Sequence, residues 1–76
     1  MGNRFFCRTS RGTFWIVFKP NRGWVIWFDS DELDGPFRTA QHAVDVLVGG
    51  HTPWPSGGFD PSRLGMPSDI GDWERG

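Results

Sequence analysis

The chain has no tyrosine and a single cysteine, Cys7, in 76 residues. One cysteine excludes an internal disulfide and leaves no set of thiolates for a structural zinc, a usage that fits a reducing cytoplasm. Long apolar runs are also missing. Arg11, Lys19, Arg22 and Asp29 interrupt every hydrophobic stretch well before the ~18 residues that a membrane span needs. Met1-Gly2-Asn3-Arg4 offers no apolar core for a secretion signal. The expectation is a cytoplasmic protein without a membrane partner.

Catalytic motifs are scarce in the same way. A nucleophile needs a base within hydrogen-bond reach and a group that orients that base. Cys7 lies beside Phe5 and Phe6 in an apolar stretch, where a buried, inert thiol is expected. No serine stands in a nucleophile elbow. His42 and Asp45 are three apart on a predicted helix and His51 follows, a spacing looser than metal sites use, so a solvated helix face is the reading. Gly49-Gly50 and Gly57-Gly58 do not follow a strand and open a helix, which excludes phosphate loops and leaves a helix cap and a turn. The chain is therefore expected to be no enzyme and to carry neither metal nor cofactor.

What is abundant is aromatic bulk and segregated charge. Five Trp and seven Phe supply the dense core that a domain this small requires. Residues 1–28 hold Arg4, Arg8, Arg11, Lys19 and Arg22 with no acid, a net +5. Residues 29–76 hold Asp29, Asp31, Glu32, Asp34, Asp45, Asp60, Asp69, Asp72 and Glu74 against three arginines, a net −6.

Turn and strand signals predict strands at Arg4–Arg8, Thr13–Phe18 and Trp24–Phe28, joined through Thr9–Gly12 and Lys19–Gly23. Both alternate faces of the two central strands are apolar, which predicts a sheet covered on both sides. An acidic turn over Asp29–Asp34 and a short edge strand over Leu33–Phe37, broken by Gly35-Pro36, are expected next. Ala40, Ala43, Val44, Leu47 and Val48 form one helical stripe between an N-cap at Thr39 and a C-cap at Gly49-Gly50. Beyond it the chain is rich in Gly and Pro but carries Trp54, Phe59, Leu64, Met66, Ile70 and Trp73. Asp60-Pro61 predicts one helical turn and Ser68–Trp73 another, in a wrap expected to cover the second sheet face and to bury Trp54 and Trp73. The expected fold is α+β: a three-stranded antiparallel sheet, four-stranded if the edge strand joins, with one packed helix and an irregular Trp/Pro/Gly-rich C-terminal wrap. It forms one domain over 1–76, with the sheet in 1–37, the helix in 38–50 and the wrap in 51–76.

Two surfaces follow from the charge split. Asp29, Asp31, Glu32 and Asp34, joined by Asp69, Asp72 and Glu74 if the tail folds back, would form an anionic patch able to enter a groove that holds a nucleic-acid backbone. Arg4, Arg8, Arg11, Lys19 and Arg22, with Phe6 or Trp15, would instead make a nucleic-acid-binding sheet face. A pI near 6.0 ranks a protein partner ahead of nucleic acid. A monomer or weak homodimer is expected.

Gly23-Trp24-Val25-Ile26-Trp27-Phe28-Asp29, then Gly35-Pro36-Phe37-Arg38-Thr39 leading into Ala43-Val44, resembles the strand, G-x-F-x-T and helix run of short proteins from bacterial and prophage genomes. The likeness covers about residues 13–50. In size, acidity and lack of a catalytic motif the chain is similar to phage-borne anti-CRISPR proteins. That resemblance implies an inhibitor in the host bacterial cytoplasm, blocking DNA binding by a type I CRISPR-Cas surveillance complex through the acidic patch as a DNA mimic.

Overall fold

The computed structural model describes residues 4–55 and 57–76. The first three residues of the expected sheet segment and Ser56 of the expected wrap lie outside the described residues. Four strands run as a meander: β1 (Arg4–Thr9), β2 (Gly12–Lys19), β3 (Gly23–Phe28) and β4 (Asp31–Phe37). A helix, α1 (Ala40–Val48), follows, then two single 3₁₀ turns at Pro61–Arg63 and Ile70–Asp72, and a last strand, β5 (Glu74–Arg75). The strands form one antiparallel sheet in the order β4-β3-β2-β1-β5. The α+β class is as the sequence implies, with five strands where three or four were expected.

Local chemistry fixes the hairpins. The Thr9 hydroxyl accepts from the amides of Arg11 (3.1 Å) and Gly12 (3.2 Å), closing the first turn. Gly12 has φ +146°, and a Cβ there would stand 2.7 Å from the Phe28 ring, so neither backbone nor space admits another residue. The third hairpin corrects the expected acidic turn. Only Asp29 and Ser30 make it; Asp31, Glu32, Leu33 and Asp34 all belong to β4. Asp29 takes φ +52°, its amide donates to the Thr13 carbonyl (2.8 Å), and its carboxylate accepts from the Thr13 amide (3.0 Å). That pair of bonds clamps a two-residue turn and frees the following acids to extend. Strand β4 lies at the sheet edge, where charged side chains and a proline are tolerated, and its register slips between Trp24 and Trp27.

The helix forms where its caps predict. Thr39 accepts from the His42 amide at 3.0 Å, and Gly50 at φ +80° closes the C-terminal end as His51 donates to the Val46 carbonyl at 3.0 Å. Asp60 and Asp69 cap the two 3₁₀ turns through the amides of Ser62 (3.0 Å) and Gly71 (2.8 Å).

The core lies between one face of the sheet and α1. Phe14, Ile16, Ile26, Ala43, Val44 and Leu47 are fully buried there. Phe14 stacks on Phe28 with ring centroids 4.8 Å apart, and Phe59 closes the group at 5.3 Å from Phe28. Met66, Trp73, Leu64 and Ile70 from the tail join this same core. The expectation of a tail over the opposite face is thus corrected: the tail lies beside the helix. The physical reason is length. Nine helical residues span about 13 Å, whereas five strands present a face about 19 Å wide, and the tail fills what the helix leaves. Trp73 is buried, its indole donating to the Pro67 carbonyl at 3.0 Å. Trp54, expected to be buried, is 59% exposed.

Candidate nucleic-acid interface

The face of the sheet turned away from α1 is the candidate site. Antiparallel register places directly opposed residues on one face. Reading across the five strands, Glu74 opposes Phe6, Phe6 opposes Trp15, Trp15 opposes Trp27, and Trp27 opposes Glu32. Three aromatic rings therefore stand in a row perpendicular to the strands, with a carboxylate at each end. All three rings are half-buried and stand outside the core cluster. Phe6 and Trp15 touch, with centroids 4.9 Å apart and planes tilted by 36°.

A cation lies over each ring. The Arg4 guanidinium sits 5.8 Å from the Trp15 centroid, that of Arg8 5.4 Å from Phe6, and the Lys19 ammonium 4.9 Å from Trp27. These distances are those of cation–π pairs; the last residue, Gly76, donates to the Arg4 carbonyl at 3.0 Å and comes close against the Phe6 and Trp15 rings. Arg4, Arg8 and Lys19 form no ion pair with a carboxylate among the described residues.

Of the five predicted basic residues, three gather on this face and two are diverted. Arg11 packs over Phe59, at 4.9 Å, on the core side. Arg22 makes a two-pronged pair with Glu32, at 3.1 and 3.2 Å. That pair holds the Glu32 carboxyl below its ordinary range, chiefly through the hydrogen bonds from Arg22, and raises Arg22. Trp27 is the site residue that sequence reasoning left out; its place opposite Trp15 follows from the hairpin register.

The predicted acidic patch is not brought together. Strands β4 and β5 are opposite edges of the sheet, about 19 Å apart, so Asp31, Glu32 and Asp34 lie far from Glu74. Asp29 and Asp69 spend their carboxylates on backbone amides, and Asp34 accepts from the Gly35 amide at 2.9 Å. Asp72 is exposed in the second 3₁₀ turn.

Other chemistry-bearing groups are engaged elsewhere. His42 stands edge-on to Phe37 at 5.2 Å, and Asp45 accepts from the Gln41 amide at 2.8 Å. Among the described residues no group of three or more His, Cys, Asp or Glu is gathered in a way that could hold a metal ion. Burial first, and then the Glu74 charge, push the Cys7 thiol above its ordinary range, so little thiolate is present at neutral pH. Among the described residues no helix is long and apolar enough to cross a membrane. Compared with family models, curated proteins and solved structures, the chain matches none.

Proposed function

We propose that this protein is a non-enzymatic binding module that holds a short stretch of single-stranded nucleic acid on the open face of its sheet. The observation that carries this reading is the row Phe6, Trp15, Trp27, each ring under its own cation. Bases of a single strand expose flat π-faces that stack on aromatic side chains, whereas a duplex offers only edges and phosphates. In the free protein each cation shields a ring. When a base arrives it takes the ring face, and the displaced guanidinium or ammonium swings outward to a phosphate oxygen. Stacking is worth about 1–3 kcal/mol per base, more than the roughly 0.5–1 kcal/mol of an exposed cation–π contact, and the cation regains a charged partner. The exchange favours binding. Glu32 and Glu74, at the ends of the row, repel phosphate and confine the chain to three ring positions.

The whole molecule has a net charge of −1, so attraction is local, and modest affinity with strong salt dependence is expected. The test is a tryptophan-fluorescence titration with short single-stranded oligonucleotides. Three phosphate contacts give a log K against log salt slope of about −2 for a single strand. Quenching with that slope, and its loss when Arg4, Arg8 and Lys19 are changed to Glu together, supports the reading. No binding at low salt overturns it.

Masking of a protein partner through the acids has narrower support, because Asp29, Asp34 and Asp69 are occupied by backbone amides. A type I CRISPR complex as that partner is tested by competition for its DNA binding. Of the acids that no backbone amide occupies, Asp31 and Glu32 are at the β4 edge and Glu74 at the opposite edge.

A further inference from the structure

Outside the sheet face, one surface combines an exposed ring, a cavity and charge of one sign. The loop after α1 runs beside β4 and leaves a groove of about 330 Å³ between them. Phe28, Leu33 and Pro53 supply apolar lining and Trp54 an indole, with Asp31 and Glu32 along the β4 side; Asp31, which opposes Phe28, is on the groove's face of the strand, and Glu32, which opposes Trp27, is on the other. Trp54 is the most exposed large apolar side chain described, at 59%. It stands between Pro53 and the buried Pro55. Two prolines restrict the backbone on either side, so presenting the ring costs little conformational freedom. An indole exposed this far makes no contribution to the core, and the carboxylate beside it excludes anionic ligands.

We propose that this groove is a second binding site, for an arginine side chain of a partner protein. An indole face with an adjacent carboxylate matches a guanidinium, which stacks flat and donates two parallel hydrogen bonds, better than it matches an ammonium. The protein itself displays this preference. On the other face of the same strand, Glu32 holds the Arg22 guanidinium through both oxygens, at 3.1 and 3.2 Å. Asp31, exposed and free of any ion pair among the described residues, supplies the carboxylate on the groove's own face. The site lies at the β4 edge and shares only Glu32 with the aromatic row, so a basic protein segment and a nucleic acid can be held together.

The probe is a capped peptide with one arginine between glycines, set against the same peptide with citrulline, which keeps the shape and removes the charge. The readout is the indole N–H signal of Trp54 in a nitrogen-15 NMR spectrum, assigned by its absence in W54A; an exposed ring makes W54A safe for folding. The arginine peptide should move that signal saturably and the citrulline peptide should bind roughly tenfold more weakly, as loss of charged hydrogen bonds implies. Asp31→Asn should weaken binding, and the Arg4, Arg8 and Lys19 triple change to Glu should leave it intact. Equal binding of citrulline, or shifts at Trp15 and Trp27 with Trp54 still, overturns the proposal. Oligonucleotide titration of W54A separates the two sites: retained binding leaves both standing, and failure of the wild type to bind any oligonucleotide while the peptide binds removes the sheet-face reading alone.

Discussion

The two faces of the sheet are built from alternate residues of the same strands, and they treat the same kind of side chain in opposite ways. Toward the helix, Phe14 and Phe28 meet other rings and Phe14 is wholly excluded from solvent, with cations only over the marginal rings Phe5 and Phe59. One residue away, Trp15 and Trp27 meet Arg4 and Lys19 and keep part of their surface in water. The strand sequence is apolar on both sides, so it does not decide which side is core. That is decided by what is available to cover it: one short helix and an irregular tail, enough for one face. The remaining face uses cations as a removable cover, and a removable cover is what a binding surface requires.

The comparison can be broken most severely on the helix side. Phe14→Ala should cost about 3–5 kcal/mol of stability, read from a urea midpoint, because neighbours on every side leave no room to collapse. Trp15→Ala should do the reverse. Its loss from a half-open face should leave the urea midpoint near wild type while oligonucleotide affinity falls by about 1–3 kcal/mol, measured by fluorescence titration. If Trp15→Ala destabilises as much as Phe14→Ala, the two faces are not distinct. A smaller effect probes polar burial on the covered side. The Thr52 hydroxyl is buried and has no hydrogen-bond partner among the described residues, so Thr52→Val should be neutral or stabilising by about 1 kcal/mol in thermal unfolding. The smallest effect concerns the ion pair beside the open face. Glu32, paired with Arg22, and Asp60, bonded to Ser62, are both held below the ordinary carboxylate range. Groups with a lowered folded pKa contribute stability above their unfolded pKa of about 4, which is lost as pH falls through the folded value. Urea midpoints should therefore decline below about pH 4, and Glu32→Gln should remove part of that slope.

Elements with strong local signals were legible in the sequence. The strands around Phe14–Phe18 and Trp24–Phe28, the Thr39 cap, and the turn opened by Asp60-Pro61 each depend on residues a few positions apart, and each stands where the sequence places it. The first half of β4 was not legible, because Asp31, Glu32 and Asp34 carry turn chemistry and become a strand only by pairing with β3. Nor was β5: two residues, Glu74 and Arg75, are defined as a strand only by Phe6 and Phe5, some seventy positions earlier. The side on which the tail packs is a question of area, which periodicity does not encode. For the candidate site, Arg4, Arg8, Lys19, Phe6 and Trp15 were readable as a basic aromatic face. Arg11 and Arg22 were misplaced because their partners, Phe59 and Glu32, are set by tertiary structure.

The order of the strands also bears on time. Strands β1 to β4 each pair with the next in sequence, so closing these hairpins requires only short loops, and chains rich in such local contacts fold fast. The pairing of β1 with β5 closes a loop of nearly the whole chain, and loop closure of that length comes late and opens early. In a hydrogen-exchange experiment the amides of β2 and β3 should be the slowest to exchange and those joining Phe5 and Phe6 to Glu74 and Arg75 among the fastest in the sheet. The Phe6 end of the aromatic row would then be its mobile end, and Trp15 and Trp27 its fixed anchor.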